Sequence, residues 1–211
     1  MAGTVTGLRY QKRTDERVNV YLDGHYAFAL PALDAARLKV GQHLSDAEIA
    51  QLQATDAAAK AYDKAVRYLS YRPRSTAEVR RALEEAEFPP EAVEAALARL
   101  AGQGYLDDAA FAAYWVENRQ RFRPKGEQAL RQELRRAGVE KEVIDESLDG
   151  LDSSEAAYAA AKSRANRLAE LAAEDPPAFK RKLGEFLLRR GFTYDVVRDV
   201  VARLLREMKE D

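Results

Sequence analysis

The 211-residue chain has no cysteine. Disulfides, thiolate metal sites and thiol nucleophiles are therefore excluded. Histidine is nearly absent: His25 and His43 are the only two. No glycine-rich phosphate loop and no His-Glu-x-x-His motif occurs. No apolar run approaches the length of a membrane span, and the start MAGTVTGLRYQKR lacks a signal-peptide core. These absences fit a cytoplasmic protein that is not an enzyme and holds no metal or cofactor. The net charge is −1, so the chain also lacks the strongly basic balance that marks a nucleic-acid binder.

What is present favours a soluble helical fold. Hydrophobic residues make up 46% and charged residues 33%, and Ala, Leu, Glu and Arg are strong helix formers. The near-neutral sum hides a dipolar pattern. Residues 118–136 carry Arg119, Arg121, Arg123, Lys125, Arg131, Arg135 and Arg136 against only Glu127 and Glu133. Residues 140–149 then hold Glu140, Glu142, Asp145, Glu146 and Asp149 against Lys141. Such a pattern suits a charged protein partner as well as a nucleic acid.

Residues 4–30 differ from the rest. Val18, Val20 and Leu22 alternate with Arg17, Asn19 and Tyr21, the period of a strand. Asp23-Gly24 suits a tight hairpin, because both residues tolerate positive φ. Two or three antiparallel strands are predicted, then a short helix in LPALDAARLKV that Gly41 interrupts. Ser45-Asp46-Ala47-Glu48 forms a capping box. From there to about Ser70 the pattern is helical, as two helices broken near Thr55-Asp56.

The remainder is written three times. Val79, Leu83, Phe88, Val93, Leu97 and Leu100 recur 51 residues later as Leu130, Leu134, Val139, Ile144, Leu148 and Leu151. Those recur after 53 more as Leu183, Leu187, Phe192, Val197, Val201 and Leu204. Pro73, Pro124 and Pro177 follow the same register. Each copy reads as three helices. Ser75 to Glu78 is a second capping box, and Asp107 or Asp108 opens copy two. Asp152 or Ser153 opens copy three. Gly138 and Gly191 end the second helix of their copies, since glycine takes the left-handed conformation cheaply. Copy one has Glu87 there, which predicts a different ending. The expected fold is mainly α: an elongated tandem array of three three-helix repeats behind a small N-terminal antiparallel β-hairpin region. The expected divisions are 1–54, 55–104, 105–151 and 152–211.

Asp107-Asp108 is expected to cap a helix rather than bind a metal. Tyr71 and Phe122 recur before matching prolines and are expected in the core. The basic residues are the candidate binding surface: Arg72 and Arg74 around Pro73, Arg123 and Lys125 around Pro124, with Arg119, Arg121, Arg131, Arg135 and Arg136. In copy three they are Lys180, Arg181, Lys182, Arg189 and Arg190. Reversing Arg119, Arg121, Arg123 and Lys125 together is expected to weaken binding without unfolding the protein. Helix three carries Glu91 and Glu94 in copy one, and Glu142, Asp145 and Glu146 in copy two. Those acids exclude these helices as major-groove readers.

Four segments, VNVYLDGHYAFAL, AVRYLSYRPRSTAEVRRAL, GYLDDAAFAAYWVENR and LRRGFTYDVVRDVV, resemble the RecX family over roughly residues 4–205. The resemblance implies tandem three-helix units that bind the groove of the RecA–DNA filament. It implies inhibition of RecA ATPase, strand exchange and coprotease activity, with weak binding to single- or double-stranded DNA. It carries over no catalytic residue and no cofactor. A monomer is expected.

Overall fold

The computed structural model describes residues 2–11 and 14–210. Four strands open the chain: β1 (Gly3–Gln11), β2 (Thr14–Leu22), β3 (His25–Pro31) and β4 (His43–Leu44). They form one antiparallel sheet in the order β3-β2-β1-β4. Asp23 and Gly24 both take positive φ, 49° and 85°, so the β2–β3 turn has the twist that suits a two-residue hairpin. The alternation in β2 points Val18, Val20 and Leu22 inward, against Val5, Phe28, Leu30 and Leu44. β4 was not legible in the sequence, because a two-residue strand has no period.

A four-residue helix α1 (Ala32–Ala35) precedes the long α2 (Asp46–Leu69). The Ser45 capping box is present. The break expected near Asp56 is absent: α2 is continuous over 24 residues. Asp56 is instead buried at 6% exposure. Its carboxylate receives Arg17 from β2 at 2.7 Å and Lys60 from the next helical turn at 2.7 Å. A polar residue that looks like punctuation is therefore a paired group tying helix to sheet.

The helices of the repeats follow as α3 (Thr76–Glu84), α4 (Pro90–Gly102), α5 (Asp108–Phe122), α6 (Glu127–Arg136), α7 (Lys141–Leu148), α8 (Ser153–Asn166), α9 (Ala169–Glu174), α10 (Pro176–Arg189) and α11 (Tyr194–Glu210). Of the eighteen recurring apolar positions, all are buried except Phe88 and Leu151, which are half-buried against the same cores. Each copy closes its own core: α2, α3 and α4; α5, α6 and α7; α8, α10 and α11. Two amphipathic helices cannot cover each other's apolar faces, and the third does so. Fully burying one such Leu or Val contributes about 1.5–3 kcal/mol. Copy three adds the unpredicted α9, whose Ala172 joins the core.

Glu87 does not end its helix differently. It takes φ 59°, beside 82° at Gly138 and 83° at Gly191. The same closing bond follows in each copy, Phe88 N–H to Leu83 O, Val139 N–H to Leu134 O and Phe192 N–H to Leu187 O, at 3.3, 3.1 and 3.3 Å.

By contact density the chain divides into two compact units, residues 1–74 with 79–106, and residues 75–78 with 107–211. Inside the second unit the glycine turns are joints. The Gly126 amide donates to Arg190 O at 2.9 Å. A Cβ on Gly126 would lie 2.2 Å from the Gly191 carbonyl oxygen, and one on Gly191 would lie 2.5 Å from Ala129. The arrangement recurs between Ser75–Glu78 and the α6 end, all within this unit. Ser75 Oγ donates to Ala137 O, and a Cβ on Gly138 would meet Ala77. Ser75 and Gly126 are 51 residues apart, Gly138 and Gly191 are 53 apart, so one joint is used twice.

Candidate partner-binding surface

The basic residues singled out by sequence separate into those committed to the fold and those left at the surface. Glu133 on α6 accepts from Trp115 Nε1 at 2.9 Å, from Arg119 Nε at 2.9 Å and from Lys125 Nζ. Arg119 also lies over the Trp115 ring, 4.3 Å from its centroid. Burial opposes ionisation of Glu133, but the bonds from Lys125, Arg119 and Trp115 outweigh it and hold its carboxyl below the usual range. Arg131 bridges Glu127 at 2.8 Å and Asp145 on α7. Its hydrogen bond holds the Asp145 carboxyl low. Arg119, Lys125 and Arg131 therefore hold α5, α6 and α7 together. Reversing Arg119 and Lys125 would place new carboxylates beside Glu133, so the expectation that fourfold reversal spares the fold is corrected.

Arg121, Arg123, Arg135 and Arg136 remain exposed. The Arg121 guanidinium sits 5.2 Å from the centroid of the Phe122 ring. Phe122 is itself 66% exposed, and Tyr71, at the matching place in copy one, is 82% exposed. The expectation that these aromatics are core is overturned. Each lies just past the end of a repeat's first helix or in its last turn, before a proline that stops the helix, where the ring stays largely exposed. Copy one thus presents Tyr71-Arg72-Pro73-Arg74, with Arg72 donating to Pro73 O at 2.8 Å and Arg74 stacked 4.0 Å from the Tyr68 ring centroid. Copy two presents Phe122-Arg123-Pro124-Lys125. Aromatic and Arg side chains held on a rigid corner are the residue types enriched in binding hot spots and in base stacking.

Copy three is built differently. Lys180, Arg181 and Lys182 are exposed along α10. Lys180 and Arg181 border a groove of about 400 Å³ between α10 and α11. Arg189 lies 3.8 Å from Glu185. Arg190 is half-buried, donates to Pro124 O at 3.1 Å and lies 4.6 Å from the Phe186 ring centroid. Arg164 of α8 reaches the same ring, at 4.9 Å. Sequence reasoning missed Arg164, because it lies in an alanine-rich helix outside the basic corners and clusters that were singled out. Asp107 caps α5 through the Ala110 amide at 2.9 Å, and Asp108 accepts from the Thr76 amide at 2.8 Å. Among the described residues no group of three acidic or histidine side chains is placed to hold a metal, and no helix is long and apolar enough to cross a membrane.

Comparison with known proteins covers nearly all of this architecture. Family models match in four segments: the regulatory protein RecX N-terminal domain over residues 3–45, and the first, second and third RecX three-helix domains over 61–100, 107–148 and 152–201. Regulatory protein RecX of Bacillus licheniformis is 35% identical over 195 residues, covering 92% of this chain and 74% of its own. The Bacillus subtilis protein of the same name is 32% identical over 209 residues, covering 98% and 79%. That of Levilactobacillus brevis is 37% identical over 210 residues, covering 98% and 78%. A crystal structure of regulatory protein RecX superposes with a TM-score of 0.71 at 33% identity, over 94% of this chain and 98% of that one. RecX from Lactobacillus salivarius, at 22% identity and a TM-score of 0.63, shares the fold. With four consecutive domains matched in order and these identities spanning the chain, the protein belongs to the RecX family of regulatory proteins.

Proposed function

We propose that this chain is a non-enzymatic, cytoplasmic regulator of RecA that acts as a monomer. It binds the RecA–DNA filament in its groove and inhibits ATP hydrolysis, strand exchange and coprotease activity. The observation that carries this reading is the RecX domain order together with a repeated aromatic-basic corner, Tyr71-Arg72-Pro73-Arg74 and Phe122-Arg123-Pro124-Lys125, whose rings are exposed. A filament repeats one surface along its length. A protein that repeats one contact element engages it several times, and weak contacts then add through effective concentration. Purified protein added to RecA hydrolysing ATP on single-stranded DNA is expected to lower the rate in a saturable way. No change at saturating protein would refute the proposal.

A second reading rests on Arg121, Phe122 and Arg123 alone: direct binding of a DNA strand by base stacking and phosphate contact. Affinity for a bare oligonucleotide would then fall steeply with salt. Absence of binding at low salt removes it.

A further inference from the structure

The arginines of the second unit fall into two classes. Arg119, Arg131, Arg198 and Arg203 each have a carboxylate within hydrogen-bonding reach. Arg123, Arg164 and Arg190 have none among the described residues. These three are also neighbours. Arg190 donates to the carbonyl of Pro124, the residue after Arg123. Arg164 and Arg190 both lie on the Phe186 ring, 4.9 and 4.6 Å from its centroid. That places the Arg164 and Arg190 charges within about one Debye length of each other, ~10 Å at moderate salt, and the Arg123 charge is felt at Arg190.

The arrangement runs against folding economy. Arg164 and Arg190 are half-buried, and the Arg164 Nε is fully covered with no acceptor. A covered donor without a partner and like charges without a counter-charge both destabilise a fold. Burial, and then the nearby charges of Arg123 and Arg164, depress the Arg190 pKa, the direction expected for cations crowded without an acid. One ring face-stacked by two guanidiniums holds them in place, since cation–π contact orients a guanidinium without using its N–H donors. The remaining donors stay available for an anion, and planar guanidiniums match tetrahedral oxyanions through paired N–H bonds.

We propose that Arg123, Arg164 and Arg190, gathered around Phe186 and Pro124 where the second and third repeats meet, form a binding site for phosphate groups. Arg164 and Arg190 form the half-buried floor and Arg123 the exposed rim. The phosphate is either that of a small anion or successive phosphates of a nucleic-acid strand. The site goes beyond the regulatory reading above: it belongs to the free chain and needs no RecA.

The test uses the full chain without RecA. Thermal midpoints are measured with sodium pyrophosphate against sodium chloride at matched ionic strength, and in parallel with a twenty-residue oligo-dT. Pyrophosphate is expected to raise the midpoint saturably, as a ligand that binds only the folded state must. R164Q and R190Q are each expected to weaken that response by about tenfold, the loss of one charged hydrogen bond. R123Q, at an exposed position, gives the same reading without any risk to the fold. R198Q, whose guanidinium is already paired with Asp199, leaves the response unchanged. If oligo-dT stabilises and pyrophosphate does not, with the same dependence on the three arginines, the site takes strand phosphates. If both ligands act and compete, it takes either. No stabilisation by either ligand, or a response in R123Q and R164Q as strong as the parent's, overturns the proposal. RecA inhibition measured separately on the same variants keeps the two readings apart.

Discussion

Gly126 and Gly191 meet with their backbones in contact: the Gly126 amide donates to the carbonyl just before Gly191, and a methyl group on Gly126 would lie 2.2 Å from the Gly191 oxygen. The obstacle is backbone on both sides, so neither chain segment can yield by a rotamer change. G126A is expected to destabilise the protein by about 1–3 kcal/mol or more, the usual effect of overpacking a closed site. G191A adds left-handed strain at φ 83° to its clash with Ala129. Urea midpoints of both variants check this. G24A, at a turn with open space around it, is the control that suffers from φ alone.

E133Q is expected to destabilise by about 1–3 kcal/mol at pH 7, since Arg119, Lys125 and Trp115 converge on that carboxylate. Its folded-state pKa lies below the ordinary 4.5. Its contribution is therefore complete above about pH 4.5 and is lost as pH falls through the lower folded value. Stability measured from pH 7 to pH 3 should decline less steeply in E133Q than in the parent. Parallel curves would remove Glu133 from the acid response.

Charge reversal separates the two classes of basic residue. R121E/R123E is expected not to lower the parent's melting temperature and to raise the concentration needed for half-maximal RecA inhibition by roughly tenfold. R119E/K125E is expected to lose stability first, because it turns two partners of Glu133 into repelling charges. Equal melting temperatures in the two double variants would contradict the assignment of Arg119 and Lys125 to the fold.

Y71A and F122A remove exposed rings. Stability should change by no more than about 0.5 kcal/mol. If the aromatic corners contact the filament, each truncation weakens inhibition by roughly tenfold, as loss of an aromatic anchor does. Full inhibition by the double variant would show that the corners make no contact of weight.

E87G tests the odd copy. Glu87 holds the left-handed conformation at φ 59° that glycine holds in the other two repeats. Glycine there is expected to raise stability by about 1 kcal/mol by removing the Cβ strain. A lower urea midpoint would mean that the Glu87 side chain holds something that its backbone does not reveal.

The repeat itself was fully legible. Eighteen apolar positions at two fixed spacings lie in three separate cores, and the capping boxes at Ser45 and Ser75 form as written. The errors share a cause. Tyr71 and Phe122 are large and apolar, so they resemble core, yet they sit at helix ends beside prolines, where the rings stay largely exposed. Asp56 is polar, so it resembles a break, yet Arg17, 39 residues earlier, makes its burial affordable. α9 and β4 are too short to carry a period.

Local pattern and backbone chemistry act over a few residues. Sequence alone therefore settled the three core helices of each repeat, the caps at Ser45 and Ser75, the threefold register and the family resemblance that the comparisons established. The choice between a cation that serves the fold and one that is free depends on which carboxylate lies across a helix interface. Arg119 finds Glu133 and Arg131 finds Asp145, whereas Arg123, Arg164 and Arg190 find no carboxylate among the described residues. Coulomb interactions depend on distance in space rather than along the chain, and only the tertiary structure supplies those distances.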